Sequence, residues 1–173
     1  ALYGEYRAPT GVSQHPSNRT EGLEPVRDAV AAVATKLGRP LRLLLGKPGL
    51  DGHSNGAEQI AARARDCGIE ITYDGIRLTP QEIVSAATER QPDVIGLSIL
   101  SGSHLPLLRE TLDLMREAGL TQPLVVGGII PDEDAKTLKA MGVAQVYTPK
   151  DFQLNRIMLD LVALVDPAPV AAE

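Results

Sequence analysis

A histidine, a carboxylate and a lysine lie close together in the segment KPGLDGHSNG, residues 47–56. Asp51 precedes His53 by two positions, a spacing at which the carboxylate can accept the proton of one imidazole nitrogen and leave the other nitrogen to bind a metal. A lone histidine does not hold a free metal ion, which usually takes three or four ligands. If His53 is a metal ligand, the other ligands belong to a cofactor such as a corrin or a haem. A hydrogen-bonded loop histidine, with Asp51 capping a turn, is the alternative interpretation.

The same segment is rich in glycine, with Gly49, Gly52 and Gly56 within eight residues. Glycine loses more backbone freedom on folding than any other residue, so this composition favours a place where something approaches the backbone closely. The segment lacks the G-x-G-x-x-G fingerprint of dinucleotide sites and the G-K-[ST] ending of a phosphate-binding loop. Ser54, Asn55 and Gly56 could direct the amides of a helix start toward an anionic group.

Further small or polar residues follow the later apolar runs of the chain. Ser98 and Thr148 could each meet a ligand or cap the helix that comes next. Gly127 and Gly128 remove side chains after the fourth run, which leaves room for a flat group or for a tight turn. His104 is interpreted as a surface or capping residue rather than as a second ligand.

Apolar runs alternate with amphipathic segments from Leu41 onward. The runs predict strands over 41–46, 69–73, 93–98, 123–128 and 144–148, and the segments predict helices near 54–66, 80–90, 103–118, 132–141 and 151–165, after a leading helix over 25–37. Strands that alternate with helices indicate a parallel sheet covered on both faces. The predicted fold class is therefore α/β, with a flavodoxin-like (Rossmann-like) five-stranded parallel sheet.

The candidate residues fall where this fold places ligands. In such sheets, ligands bind beyond the carboxyl ends of the strands, near the point where the strand order reverses. The segments that carry His53, Ser98 and Gly127 follow the first, third and fourth predicted strands. We therefore expect them to converge on one edge of the sheet, and this shared location is a stronger indication than any of them alone.

The composition is that of an ordinary globular domain, with 173 residues, 43% of them hydrophobic and 23% charged. A net charge of −5 offers no basic excess for phosphates, and one Phe, four Tyr and no Trp leave few platforms for stacking bases, so no nucleic-acid partner is expected. No apolar run is as long as a membrane span, and residues 1–22 lack the apolar core of a signal peptide. The single Cys67 forms no internal disulfide. We therefore expect a cytoplasmic protein without a membrane partner.

The chain divides into three regions. Residues 1–22 contain prolines and glycines without sustained periodicity and are predicted to be a linker or arm from a preceding domain. Residues 23–166 are predicted to fold as one domain, with the leading helix over 25–37 and an α/β core over 41–165. Residues 167–173 are predicted to be a frayed tail.

The motifs of the core resemble those of a known family. Asp51-x-His53-x-x-Gly56, then Ser98-x-Leu100, then Gly127-Gly128, is similar to the three-part motif of the cobalamin-binding domain in carbon-skeleton mutases and methionine-synthase-like proteins. The resemblance covers about residues 41–165. More narrowly, GKPGLDGHSNGAEQIAARARDCG, GIRLTP, GLSILSGSH, VVGGIIP and VYTPKDF resemble the C-terminal portion of the ethylmalonyl-CoA mutase family, which is adenosylcobalamin-dependent.

The resemblance implies a role for each motif residue. In this family cobalamin binds base-off, with its dimethylbenzimidazole tail detached from cobalt and a protein histidine in its place. His53 would be that cobalt ligand, Asp51 would hydrogen-bond its other nitrogen, and Lys47 would pair with Asp51. Ser98 would hydrogen-bond the benzimidazole in a slot between the first and third strands. The other implied contacts are Leu100, Gly127 and Gly128 as walls of the slot, and Gly52, Ser54, Asn55, Gly56 and Thr148 beside the tail or the corrin edge.

The resemblance also implies an activity and its partners. The family enzyme is an isomerase that converts ethylmalonyl-CoA to methylsuccinyl-CoA by radical rearrangement, with a barrel domain of the same or a partner chain that binds the substrate, in a homo-oligomer. These 173 residues contain no such barrel and no convincing acid, base or nucleophile, so the chain alone is predicted to be inactive. A methylmalonyl-CoA-type substrate and a non-enzymatic corrinoid carrier or cobalamin sensor stay open as alternatives. A receiver-type signalling domain is not favoured, because its acidic cluster is not evident after the first strand.

Overall fold

The computed structural model describes residues 22–48, 55–99, 104–151 and 153–166. The predicted tail and, except for Gly22, the predicted arm lie outside these residues. Within them, helices and strands alternate along the chain. The elements are α1 (Leu23–Leu37), β1 (Arg42–Pro48), α2 (Asn55–Asp66), β2 (Glu70–Leu78), α3 (Pro80–Arg90), β3 (Val94–Ile99), α4 (His104–Glu117), β4 (Leu124–Gly128), α5 (Asp132–Met141), β5 (Gln145–Tyr147) and α6 (Leu154–Val165).

The described strands form one parallel sheet in the order β2-β1-β3-β4-β5. This is the flavodoxin-like strand order, and it confirms the predicted five-stranded α/β architecture. The chain leaves β1 toward β2 on one side and returns to β3 on the other side. The strand order therefore reverses between β1 and β3, and this is the switch point at which the fold binds ligands.

The helices cover the sheet in two layers that build separate cores. On one face, α1, α2 and α6 pack over β1 and the neighbouring strands, and we call this the cleft face. On the opposite face, α3, α4 and α5 pack over the same strands around Leu44, Ile95, Leu97 and Val126, and we call this the closed face.

Local sequence explains where the helices begin and end. α3 begins with a capping box, in which the Thr79 hydroxyl accepts from the Glu82 amide at 3.2 Å and the Glu82 carboxylate accepts from the Thr79 amide at 2.7 Å. Pro80 fills the first position of that helix, where its missing N–H costs nothing. α1 ends at Gly38, whose φ of 70° is left-handed and whose amide bonds to helix carbonyls.

The structure differs from the predicted bounds mainly at β1 and β2. β1 continues to Pro48, so Lys47 belongs to the strand and not to the loop that follows it. β2 continues to Leu78, beyond the predicted end at residue 73. The β1–β2 register shifts between Leu45 and Lys47 and again before Pro48, and Arg77 lies there with a φ of 64°. β2 was predicted too short, because these bulges interrupt the alternation of apolar and polar residues along the strand.

The other differences are small. α6 begins at Leu154 after a single 3₁₀ turn over Pro149–Asp151, whereas the prediction started the helix at residue 151. α1 begins at Leu23, two residues earlier than predicted.

Candidate functional site

A cleft of about 360 Å³ opens on the cleft face at the carboxyl edge of the sheet. Its floor is formed by β1, β3, β4 and β5, and its two walls are α2 and α6. Its position at the switch point agrees with the rule for ligand sites in this fold. The described lining residues are Leu43, Leu45, Gly56, Gln59, Ile60, Gly96, Leu97, Ser98, Val125, Gly127, Gly128, Ile129, Tyr147, Thr148, Pro149, Ile157 and Leu161.

The cleft exists because strand alternation places small residues on one face. Along β3, Gly96 and Ser98 face the cleft, whereas Ile95, Leu97 and Ile99 belong to the core of the closed face. Leu97 also lines the cleft, at the strand between Gly96 and Ser98. Gly127 continues the same pattern on β4, where it pairs with Ser98 on one side and Tyr147 on the other. The row formed by these three residues crosses the floor of the cleft near its mouth.

Two of the predicted glycines leave space that the described protein atoms do not fill. A Cβ built on Gly127 would meet only Tyr147, at 3.9 and 4.0 Å, and a Cβ on Gly56 would meet nothing within 4 Å. Neither glycine has a left-handed backbone, so neither is required by the fold itself. The space they leave belongs to the cleft, as expected if a ligand fills it.

Gly128 has a different reason to be glycine. A Cβ at this position would overlap the carbonyl oxygen of Ile99 on β3, because the two backbones approach closely where these strands end. The residue lines the cleft, as predicted, but packing between the strands alone accounts for its identity.

Tyr147 and Asp160 link the floor of the cleft to the α6 wall. The Tyr147 hydroxyl donates to the Asp160 carboxylate at 3.2 Å, and the tyrosine is 7% exposed. Burial, and then the neighbouring Asp160 carboxylate, raise the pKa of Tyr147 well above its usual value. The tyrosine is therefore a neutral, anchored ring at neutral pH.

Lys47 is the other unusual residue at this edge. It is 2% exposed, and its Nζ has no hydrogen-bond partner among the described residues. Alternation along β1 places its side chain on the same face as Leu43 and Leu45, which line the cleft. A buried ammonium group without a partner is costly, so this site requires an anion or a polar group close by.

The structure brings some of the predicted site residues together and does not describe others. Gly56, Ser98, Gly127, Gly128 and Thr148 all line the cleft. Asn55 begins α2, at one end of the segment that carries His53, and Pro48 ends β1 at its other end. The predicted residues outside the described part of the chain are Asp51, Gly52, His53, Ser54 and Leu100.

Several lining residues were not predicted from the sequence. Gly96 carried a recognisable signal, a glycine inside an otherwise apolar strand, which often marks close approach of a ligand. Gln59 and Ile60 on α2, and Ile157 and Leu161 on α6, carried none, because their periodicity is that of any amphipathic helix. Tyr147 was likewise indistinguishable from a core residue of a short strand.

The described residues contain no other arrangement suited to a metal or a membrane. No group of three or more His, Cys, Asp or Glu side chains among them could hold a metal ion. No helix in the described ranges is long and apolar enough to cross a bilayer. Cys67 is buried in the core, and burial raises the pKa of its thiol.

Comparisons with known proteins show the family to which the chain is similar. The model of the B12 binding domain family matches residues 41–151. The chain is 69% identical over 171 residues to ethylmalonyl-CoA mutase of Cereibacter sphaeroides, which covers 99% of this chain and 26% of that protein. It is 41% identical over 108 residues to the 2-hydroxyisobutanoyl-CoA mutase small subunit of Aquincola tertiaricarbonis, which covers 62% of this chain and 79% of that subunit.

One solved structure shows the same fold. The crystal structure of a cobalamin-binding protein from Desulfitobacterium hafniense DCB-2 superposes with a TM-score of 0.64 at 19% identity, over 86% of this chain and 76% of that one. The chain spans only about a quarter of the length of the ethylmalonyl-CoA mutases that it matches.

Proposed function

The chain belongs to the B12-binding domain family, and we propose that it is the cofactor-binding part of an adenosylcobalamin-dependent mutase that converts ethylmalonyl-CoA to methylsuccinyl-CoA. In this proposal cobalamin binds base-off, with His53 on cobalt and its benzimidazole tail in the cleft. The observation that carries the proposal is the cleft itself, a mostly apolar slot at the switch point whose glycines leave room that the described atoms do not fill.

The described residues fit a flat heteroaromatic tail. Ser98 supplies a hydroxyl on the cleft floor, the site proposed for the hydrogen bond to the benzimidazole. Gly127 and Gly56 leave the slot open, and Tyr147 at the end of β5 and Thr148 directly after it border the slot. An apolar slot with a few placed polar groups is the usual form of a cofactor site.

Lys47 supports the proposed relay to the cobalt ligand. Its buried ammonium group needs an anion, and Asp51, four residues further along the chain, is the proposed one. Asp51 would then accept a hydrogen bond from His53 and hold the imidazole in one tautomer and orientation. Leu100, Gly52, Ser54 and Asn55 keep their proposed places beside the tail or the corrin edge.

When bound, adenosylcobalamin supplies the radical that starts the carbon-skeleton rearrangement, whereas this chain positions the cofactor. The substrate would lie in a barrel domain of the same or a partner chain, within a homo-oligomer in the cytoplasm. The barrel would also exclude water from the reacting centre.

Electron paramagnetic resonance of the cob(II)alamin complex tests the coordination. With nitrogen-15 histidine in the protein, the superhyperfine splitting should change to that of nitrogen-15, and His53→Ala should abolish this effect. A splitting that stays with the benzimidazole nitrogen would contradict base-off binding by His53.

Turnover assays test whether the chain needs a barrel domain for activity. The isolated chain with adenosylcobalamin should isomerise neither ethylmalonyl-CoA nor methylmalonyl-CoA, whereas addition of a separately expressed barrel should restore activity on the first. Mass spectrometry of dark incubations gives the readout. Product above a His53→Ala control without a barrel would mean that the chain contains a complete active site.

A further inference from the structure

The walls of the cleft extend beyond the part of the chain that matches the family model. That match covers residues 41–151, yet Ile157 and Leu161 of α6 line the cleft. α1 also lies before the matched residues, and it packs directly against α6. α1 is therefore packed against a helix that lines the cleft.

α1 belongs to the core of the cleft face and does not line the cleft itself. Val26, Val30 and Val33 form a buried stripe at helical spacing, between 1% and 2% exposed. They belong to one cluster with Ile157 and Leu161 of α6, and this cluster also includes Ala64 and Cys67 at the end of α2. The apolar stripe of α1 thus packs against α6 and shares one core with the carboxyl end of α2.

Two polar contacts tie α1 to the same two helices. Arg27 Nε donates to the carbonyl oxygen of Asp66, the last residue of α2, at 3.0 Å. Lys36 Nζ donates to Asp166 Oδ1, directly after α6, at 2.7 Å. Exposed contacts of this kind contribute little energy, so they mark where α1 meets the ends of α2 and α6, and the buried stripe supplies most of the packing energy.

We propose that α1 is a positioning element that sets the spacing between α2 and α6, and that it thereby controls cobalamin affinity without touching the cofactor. None of the described residues that line the cleft comes from α1. α2 and α6 also contact each other, so α1 acts as a brace for a pair of walls that already meet. The identity of the ligand rests on the proposed function, whereas the spacing of the walls does not.

The experiment measures the wall spacing in the cofactor-free protein. Spin labels on Ala62→Cys of α2 and Ala163→Cys of α6, both exposed, report that distance by pulsed dipolar spectroscopy in a Cys67→Ala background. Val30→Ala is the test variant, and Val30→Ile keeps the stripe filled. Val143→Ala is the matched control, because Val143 is also buried, in the core of the closed face, and does not line the cleft.

We expect Val30→Ala to broaden or lengthen the α2–α6 distance distribution and to weaken cobalamin binding about fivefold or more, a usual size for coupling between sites. Val30→Ile should keep both properties, and Val143→Ala should lower the thermal midpoint and change neither. If Val30→Ala does not fold, the milder variant Leu37→Ala, at the half-buried end of the same apolar stripe, decides by the same two readouts.

Two results would overturn the inference. One is an unchanged distance distribution in the α1 variant, and the other is an equal change in Val143→Ala. A wild-type chain that binds no cobalamin would instead contradict the proposed function, and the distance distributions would still decide whether α1 sets the spacing.

Discussion

The two faces of the sheet are built on the same strands, but only one of them holds a cleft. β3 shows how, because its residues alternate between Gly96 and Ser98 on the cleft face and Ile95, Leu97 and Ile99 on the closed face. On the closed face, large side chains fill the space under α3, α4 and α5. On the cleft face, small residues at the carboxyl edge leave that space open between α2 and α6.

Within the single strand β3, the residues that stabilise the fold and the small residues that line the cleft lie on opposite faces. A period of two lets one segment carry a core on one side and a ligand site on the other. Substitutions on the closed face should therefore change stability more than cofactor affinity, and substitutions on the cleft face should do the reverse.

The largest effect should come from the closed face. Ile95→Ala removes a fully buried side chain and should lower the free energy of unfolding by about 2–5 kcal/mol, because it loses burial and leaves a cavity. The folded fraction should still bind cobalamin with wild-type affinity. Denaturant unfolding and a spectroscopic cobalamin titration measure the two quantities. A large loss of affinity in folded protein would mean that the faces are not independent.

The next largest effect should come from Asp93, which tests how acid changes the stability of the whole sheet. It accepts from Arg39 at 2.7 Å and from the Arg42 amide at 2.8 Å, at the end of the sheet opposite the cleft. Burial alone would raise the pKa of Asp93, but these hydrogen bonds outweigh it and hold the pKa below the usual value. Asp93→Asn should therefore cost about 1.5–3 kcal/mol of unfolding free energy at neutral pH.

The pH dependence follows from that lowered pKa. The stabilisation by Asp93 is complete above the unfolded pKa of about 3.9 and is lost as the pH falls through the folded value. The wild type and Asp93→Asn should therefore converge in stability below about pH 4. Urea unfolding across this range measures the difference. A gap that persists unchanged at low pH would remove the carboxylate from the explanation.

Gly127→Val, on the cleft face, should change cobalamin affinity more than it changes stability. Its backbone is that of an ordinary strand and its Cβ would meet no close neighbour, so the variant should fold with near wild-type stability. The valine methyls would occupy the cleft and should weaken cobalamin binding by about 1–3 kcal/mol, as overpacking of a fitted site does. Gly127→Ala is the matched control, and its cobalamin affinity should lie between those of the wild type and Gly127→Val. Wild-type affinity in Gly127→Val would show that the tail does not occupy this slot.

Ser98→Ala should give the smallest change. It removes one hydroxyl from the cleft floor and should lower cobalamin affinity by about 1 kcal/mol, the value of a typical hydrogen bond. The free energy of unfolding should stay close to that of the wild type. A loss as large as that of Gly127→Val would indicate that Ser98 has a structural role in β3.

The sequence predicted the architecture well because its signals are local. The bounds of α3 and α5 match those predicted, since Thr79 and Pro80 mark one start and charged residues alternate clearly with apolar ones in both. β1 was predicted too short, because the polar side chain of Lys47 does not indicate a buried strand. Only contacts with the neighbouring strands extend β1 to this residue.

The candidate site was only partly predictable. Glycines and hydroxyls after the strands indicated the edge of the sheet at which the cleft opens. The α6 wall and Tyr147 depend on contacts between residues far apart in the chain, and no local pattern reports those contacts. The role of His53 stays a prediction, since the segment that carries it lies outside the described residues.

The bulges at the outer strand β2 have a consequence for how copies of this chain meet. A straight outer strand offers a row of free amides and carbonyls to which another chain can add a strand. In β2, two register shifts and the left-handed backbone of Arg77 break that row. At the other border of the sheet, β5 is only three residues long. Strand addition at either border of the sheet is therefore disfavoured, and this protects the fold against ribbon-like aggregation.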